Sequence, residues 1–276
     1  MNPFTFMHRA VDGLQHLPGV RQARHARFRQ QFLHDPCARL FDGVYPTFAS
    51  AMQAVPRESN NSYDNAEAIE PYVRRRDVEE YDYQPLFWIV ESFREGLRSI
   101  ADIGGSVAIK YYAFSRYTQF PPDARWRVVD VPAAVKRGRA LALELGASPG
   151  LTFTDSFADV DGCDVLLCLG SLQFLPLSLA DLVRSLTRRP HRIIVNTTPI
   201  HEERDFFTLH SMGTGICPYR VVSRKTFLDG LSDLGYRVRH QWRNLNKDMR
   251  LPFQHGYDID HFSGFCFDRA SDVESK

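Results

Sequence analysis

From Pro85 onward the chain alternates apolar runs of strand length with segments whose apolar residues recur at helical spacing, and few folds accommodate that alternation. Leu86, Ile89, Val90, Phe93 and Leu97 share one helix face, and Ile100, Ala101 and Ile103 follow as a short strand. Residues 126–129, 151–154, 165–169, 192–196, 236–242 and 264–267 read as further strands, with helices over 132–145, 179–186 and 225–234. The run Val165-Leu166-Leu167-Cys168-Leu169 has no polar alternation, which predicts a central strand covered on both faces. Successive βαβ units imply a doubly wound α/β sheet whose ligands bind outside the carboxyl ends of its strands.

Two of those ends carry chemistry. The first strand closes on Asp102-Ile103-Gly104-Gly105-Ser106, and the next, 26 residues beyond Gly104, closes on Asp130. A Gly turn lets backbone N–H groups approach a ligand, and an acid at the next strand end suits ribose hydroxyls, so the pair reads as a nucleoside-type cofactor site. The glycine offsets fit a dinucleotide poorly, because Gly104 is followed by Ser106, Val107, Ala108 and Ile109 where a pyrophosphate loop needs more Gly. Asp102 before the turn would repel a pyrophosphate and attract an ammonium group. S-adenosylmethionine carries that ammonium and no phosphate, so it is the expected cofactor. The structural alternative is a bare strand-to-helix turn.

Composition removes other classes. Thirty-four Lys and Arg against 33 Asp and Glu leave a net charge of +1, which provides no general field for nucleic acid. Cys37, Cys163, Cys168, Cys217 and Cys266 are odd in number, scattered and without a C-x-x-C pair. That argues against a disulfide framework and a thiolate zinc site and fits a reducing, cytoplasmic setting. The longest apolar stretch, 165–177, is interrupted by Gly170, Ser171, Gln173 and Pro176 and falls short of the ~20 residues of a membrane span. Arg9, Asp12 and Gln15 break any signal-peptide core. A soluble, non-secreted protein is expected.

Residues 1–84 read as a helical N-terminal extension or cap and 85–276 as the main α/β domain. Within 1–36, Phe6, Ala10, Leu14, Leu17, Phe28 and Phe32 keep helical spacing, and Arg9, Arg21, Arg24, Arg27 and Arg29 face only Asp12 and Asp35. This basic helix either packs on the main domain with a solvated face or makes peripheral contact with a membrane or a phosphate-bearing substrate. Residues 40–48 form an aromatic segment punctuated by turns, and 57–65 a polar loop.

Several strings resemble, in order over 41–269, the S-adenosylmethionine-dependent methyltransferases of bacterial capsule, O-antigen and other surface-polysaccharide gene clusters. They are Phe41-Asp42-Gly43-Val44-Tyr45 with Phe48; Asp102-Ile103-Gly104-Gly105 with Tyr111-Tyr112; Trp126-Arg127-Val128-Val129-Asp130-Val131-Pro132; Gly170-Ser171-Leu172-Gln173-Phe174-Leu175; Thr198-Pro199; Phe207-Thr208-Leu209; Cys217-Pro218-Tyr219; and Gly264-Phe265. The resemblance implies a class I methyltransferase, Rossmann-like fold with six parallel strands and an antiparallel seventh, and a sugar or glycan intermediate as methyl acceptor. It implies that Asp102, Gly104, Gly105 and Ser106 face the methionine end of the cofactor and Asp130 with Val131 the ribose. Asp155 and Ser156 would face the adenine, and Gly170 and Ser171 the methyl group. At Ser106 and Ala108 the wider class favours Gly, so the chain departs from the pattern there.

Methyl transfer to a hydroxyl needs alignment and a proton acceptor. His201 beside Glu202, or His210, is the candidate base, each with an ordinary structural histidine as the alternative. Gln173, Tyr111 and Tyr112 are candidates for acceptor binding, although aromatic residues at helical spacing also suit a core. His201, Glu202, Glu203 and Asp205 lack metal-ligand spacing, so no metal is expected. A catalytically silent methyltransferase-like binding module of a glycan-assembly complex is the competing function, and a NAD-type oxidoreductase is disfavoured by the glycine offsets.

Overall fold

The computed structural model describes residues 18–35, 39–57, 59, 63–212 and 215–270. The helical expectation for 1–17 lies outside these residues. Helix α1 (Pro18–His34) buries Phe28 and Phe32, one turn apart, against Ala51, Leu209 and Ile216, while Arg21, Arg24, Arg27 and Arg29 stay exposed. The chain continues through strand β1 (Phe41–Tyr45) and helices α2 (Phe48–Ala54), α3 (Ala66–Val73) and α4 (Tyr83–Arg94). Thr47 caps α2 and Asn65 caps α3, each accepting the N–H three residues on.

The main sheet holds β2 (Ser99–Ile103), β3 (Arg125–Val129), β4 (Leu151–Thr154), β5 (Val165–Leu169), β6 (Arg192–Thr198), β10 (Tyr236–Asn244) and β11 (Phe262–Arg269) in the order β10-β11-β6-β5-β2-β3-β4. Strands β2 to β6 pair in parallel, and β11 lies antiparallel to both β6 and β10. Numbered within the sheet, this is the order 3-2-1-4-5-7-6 with the seventh strand reversed, the class I methyltransferase arrangement. All seven strands fall where the apolar runs predict them. Strand β5 shows why: Leu166 and Cys168 enter one core with Ile193 and Leu182, while Val165 and Leu167 enter the other with Ile100 and Ile89. Helices α5 (Ile109–Phe114), α6 (Pro132–Glu144), α7 (Leu179–Ser185) and α8 (Arg224–Ser232) complete the two faces.

A second, four-stranded sheet departs from the sequence reading. Strands β7 (Ile200–His201), β8 (Phe206–Ser211) and β9 (Ile216–Ser223) follow β6, and β1 from the N-terminal extension pairs antiparallel with β8, giving the order β1-β8-β9-β7. Among its described residues the extension carries helices and β1, and the aromatic segment read as turns supplies an edge strand. The runs 206–211 and 216–223, rich in aromatic and β-branched residues and separated by Gly213-Thr214-Gly215, are a hairpin signal that the helix-strand alternation concealed. Phe41, Phe206, Tyr219 and Val221 of this sheet pack on Met249, Leu251 and Phe262, so it roofs the carboxyl edge of the main sheet.

Candidate active site

Strand β2 pairs with β3 on one side and β5 on the other, so its carboxyl end is the topological switch point of the sheet. There the Gly104 N–H donates to the Val129 carbonyl at 2.7 Å. The Ser106 N–H donates to Asp130 Oδ2 and the Val131 N–H to Asp130 Oδ1, both at 2.7 Å. Asp130 thereby ties the end of β3 to the turn after β2, and each of its oxygens keeps a lone pair for a ligand. Burial raises its carboxyl above the usual value, opposed by the two amide bonds.

The glycines of the turn are required by contact. A Cβ on Gly104, whose φ is +70°, would stand 2.3 Å from Ser171 Cβ, and one on Gly105 would stand 2.4 Å from Asp102 Oδ2. Ser106 and Ala108 are also left-handed, at φ +54° and +68°. These are the two positions where the sequence lacks the Gly of the resembled pattern, and the backbone keeps the glycine-like path with side chains attached. The Ser106 hydroxyl is buried without a partner.

Asp102 is 1 % exposed and lies beneath the turn, where Trp126 Nε1 donates to its Oδ2 at 3.2 Å. Burial pushes its pKa up to about 7 against the Trp126 hydrogen bond. Ser171 donates its hydroxyl to the Ile103 carbonyl, closing β5 onto β2. The structure thus gathers Asp102, Gly104, Gly105, Ser106, Asp130, Val131 and Ser171 around one turn. Asp155 and Ser156 sit exposed at the end of β4, where the Ser156 N–H donates to Thr154 Oγ1 at 3.1 Å.

Beyond Gly170 a one-turn 3-10 helix (Leu172–Phe174) meets the second sheet. Gln173 is 6 % exposed; its Nε2 donates to the Gly170 carbonyl at 2.8 Å, and its Oε1 is buried without a partner. His210, 8 % exposed on β8, stacks on Phe41 at 4.7 Å between ring centroids and lies 6.0 Å from Phe174 and 5.2 Å from Tyr219. Its Nδ1 has no partner, and burial, reinforced by the charge of Arg39, lowers its pKa to about 3. The imidazole is therefore neutral at physiological pH. Two buried polar atoms without hydrogen-bond partners thus lie beside an aromatic wall of Phe41, Phe174 and Tyr219.

The other candidate histidine is engaged. His201 Nδ1 accepts the N–H groups of Glu203 and Arg204 at 3.0 and 3.1 Å, and its Nε2 is bonded to the Gly256 carbonyl at 3.1 Å. Glu202 is exposed beside it and does not orient the ring, because backbone groups already hold both nitrogens. In this arrangement Nδ1 accepts two amide hydrogens and has no free lone pair for a substrate proton.

Tyr111 packs against Phe120, Trp126 and Tyr112 at 5.4, 5.7 and 5.3 Å, within an aromatic core cluster. Tyr112 receives the Arg76 guanidinium over its ring at 5.6 Å, and its buried hydroxyl has no partner. A cleft of about 350 Å³ lined by Tyr111, Phe120, Trp126 and Gly150 opens at the amino ends of β3 and β4, the opposite end of the sheet from the turn. Parallel α/β sheets bind ligands at the carboxyl edge, the end opposite this cleft. Among the described residues, no group of three His, Cys, Asp or Glu side chains is placed to hold a metal, and no helix is long and apolar enough to cross a membrane.

Phe41, Phe174 and Tyr219 were not singled out from the sequence as site residues. All three appear in the resembled strings without a role, and only the pairing of β1 with β8 and of β8 with β9 brings Phe41 and Tyr219 to His210.

No protein-family model matches the sequence, and no curated protein matches it. Solved structures do. The 1,6-didemethyltoxoflavin-N1-methyltransferase of Burkholderia thailandensis, solved with 1,6-didemethyltoxoflavin and S-adenosylhomocysteine, is 15 % identical, with 75 % of this chain and 87 % of that one covered at a TM-score of 0.45. The magnesium protoporphyrin IX methyltransferase of Synechocystis, solved with S-adenosylhomocysteine, is 14 % identical, with coverages of 75 % and 97 % and a TM-score of 0.47. The likeness is one of fold, and the strand order establishes that fold independently. The chain has the class I methyltransferase fold, with an added sheet over the carboxyl edge.

Proposed function

We propose that the protein is an S-adenosylmethionine-dependent O-methyltransferase acting on a hydroxyl of a sugar or glycan intermediate of surface-polysaccharide biosynthesis, in the cytoplasm. The observation that carries the reading is the join of Asp130 to Ser106 at the switch point, with the partnerless Ser106 hydroxyl in the same turn. The donor set fits the cofactor: a phosphate-free ligand suits a turn underlain by the Asp102 carboxyl, and a ribose suits the free lone pairs of Asp130.

When bound, the cofactor supplies a methyl group made electrophilic by a sulfonium. Asp130 and Val131 would hold its ribose, Gly104, Gly105 and Ser106 its amino-acid end, and Asp155 with Ser156 its adenine. Asp102, carrying partial negative charge near neutral pH, favours the ligand's ammonium. Gly170 and Ser171 bring the acceptor against the reacting end.

His210 Nδ1 would accept the hydrogen of the reacting hydroxyl and Gln173 Oε1 that of another hydroxyl of the same sugar, and the rings of Phe41, Phe174 and Tyr219 suit the apolar face of a sugar. His210 is neutral and able to accept the hydroxyl's hydrogen. Its low pKa makes it a weak base, so positioning, worth up to ~7–11 kcal/mol in well-aligned systems, carries most of the rate.

The strained Ser106 and Ala108 motivate a second reading, a silent binding module of a glycan-assembly complex. Calorimetric titration with S-adenosylhomocysteine, followed by transfer of labelled methyl to nucleotide-linked and lipid-linked sugars, decides between them. Binding with transfer supports the enzyme. Binding without transfer to any acceptor favours the module, and absence of binding by the folded protein removes the cofactor assignment.

A further inference from the structure

A cluster of charge beside the turn is left unbalanced. Tyr81 is fixed at the carboxyl edge because its carbonyl accepts Asn196 Nδ2 at 2.7 Å, and Asn196 lies in β6. Three cations surround it. Arg75 pairs with Glu79 at 3.5 Å, and Lys110 pairs at 2.5 Å with the buried Asp82. Lys247 lies with its Nζ 4.8 Å from the Tyr81 ring centroid and forms no ion pair among the described residues.

Three positive groups thus face two carboxylates, and the surplus falls on Lys247. Half-buried, it has a pKa lowered by that burial and by Arg75, with Lys110 adding to the repulsion and Glu79 and Asp82 opposing it. The placement is specific: Lys110 stands in the first turn of α5, directly after the Gly104-Gly105 turn, and its charge reaches Asp102. Lys247 follows the carboxyl end of β10 and donates its N–H to the Asn244 carbonyl at 3.1 Å.

We propose that Lys247, backed by the Tyr81 ring and by Lys110 locked on Asp82, is an oxyanion seat for a ligand bound at the carboxyl edge. It takes a carboxylate or phosphate oxygen, either from the amino-acid end of the cofactor or from an anionic acceptor. A half-buried ammonium with no counter-ion gains more from such a group than a solvated lysine does, because an ion pair strengthens as water is excluded. The seat rests on the reading of this edge as the cofactor and acceptor site.

Lys247→Gln and Lys247→Arg should be titrated with S-adenosylhomocysteine, with methylthioadenosine, which lacks the amino-acid end, and with inorganic pyrophosphate. If the cofactor supplies the oxyanion, Lys247→Gln loses about tenfold or more in S-adenosylhomocysteine affinity, methylthioadenosine binds as to wild type, and Lys247→Arg restores most of the loss. If an acceptor supplies it, S-adenosylhomocysteine is unaffected and pyrophosphate binding disappears in Lys247→Gln. Equal weakening of both nucleosides, or wild-type binding of all three ligands, overturns the seat. Failure of the wild-type protein to bind either nucleoside defeats the cofactor reading instead and leaves the pyrophosphate comparison to judge the seat.

Discussion

Asp130 Oδ2 accepts the Ser106 amide at 2.7 Å, so a side chain at the end of β3 fixes the backbone of the turn after β2. The proposed ribose contact and the turn geometry would therefore share one carboxylate. Asp130→Ala is expected to weaken S-adenosylhomocysteine binding by about 1–3 kcal/mol while the protein stays folded, as judged by titration and thermal unfolding. Wild-type affinity in this variant would place the ribose elsewhere.

Ser106→Gly should stabilise the protein and Ala108→Gly should not. Relief of a left-handed side chain is worth roughly 1–2 kcal/mol, and the freer unfolded chain returns about 0.4–1 kcal/mol of it. Ser106 keeps the surplus, since its hydroxyl has no partner to lose. Ala108 is fully buried and also gives up a methyl contact of about 0.8 kcal/mol, which cancels the gain. Unfolding midpoints of the two variants test the contrast, and a destabilised Ser106→Gly would show that the turn is unstrained.

Asp102 carries a pH signature. Its folded pKa of about 7 stands above the ordinary 3.8, so between those values the native protein holds a proton that the unfolded chain has released. Its contribution to stability accordingly declines as pH rises through that window and is constant above it. Asp102→Asn should remove this decline, seen as a smaller stability difference between about pH 5 and pH 8 in urea unfolding. Wild-type affinity for S-adenosylhomocysteine should rise over the upper part of the window as the carboxylate appears, and that rise should vanish in the variant.

His210→Ala should retain cofactor affinity and lose methyl transfer by ~10²-fold or more, toward the lower part of the usual range for a proton-accepting group because the imidazole is weakly basic. His201→Ala should leave turnover within a factor of about two, since its nitrogens serve the backbone of Glu203, Arg204 and Gly256. A reversal of these two outcomes would move the acceptor to the β7 side of the second sheet.

Arg192, fully buried at the amino end of β6, donates to Asp268 through Nε and Nη2 at 2.7 and 2.9 Å and to Glu95 at 2.6 Å. Arg192→Ala leaves Asp268 and Glu95 to Arg239 alone and should cost about 1–3 kcal/mol in chemical unfolding, whereas Arg184→Ala, exposed on α7, should be near neutral. Burial alone would raise the Asp268 carboxyl, but its bonds to Arg192 and Arg239 outweigh that and hold it below the usual value. Its contribution is thus complete above about pH 4 and is lost as pH falls through the folded value. A flat stability profile in acid would exclude this pair as its source.

The sequence by itself determined the main sheet, because each strand's pattern records its own burial: Val165–Leu169 is apolar throughout since both of its faces are covered. It also determined the turn, where contacts with Ser171 and Asp102 leave room only for Gly104 and Gly105. The second sheet was decided by tertiary structure, because pairing Phe41–Tyr45 with Phe206–Ser211 joins segments over 160 residues apart, and no local periodicity records such a partner. The surroundings of the two histidines were likewise decided in three dimensions. His201 and His210 differ little as residues in a sequence, but one spends its nitrogens on neighbouring backbone while the other is desolvated among Phe41, Phe174 and Tyr219, and a side chain's basicity follows the surroundings that folding brings to it.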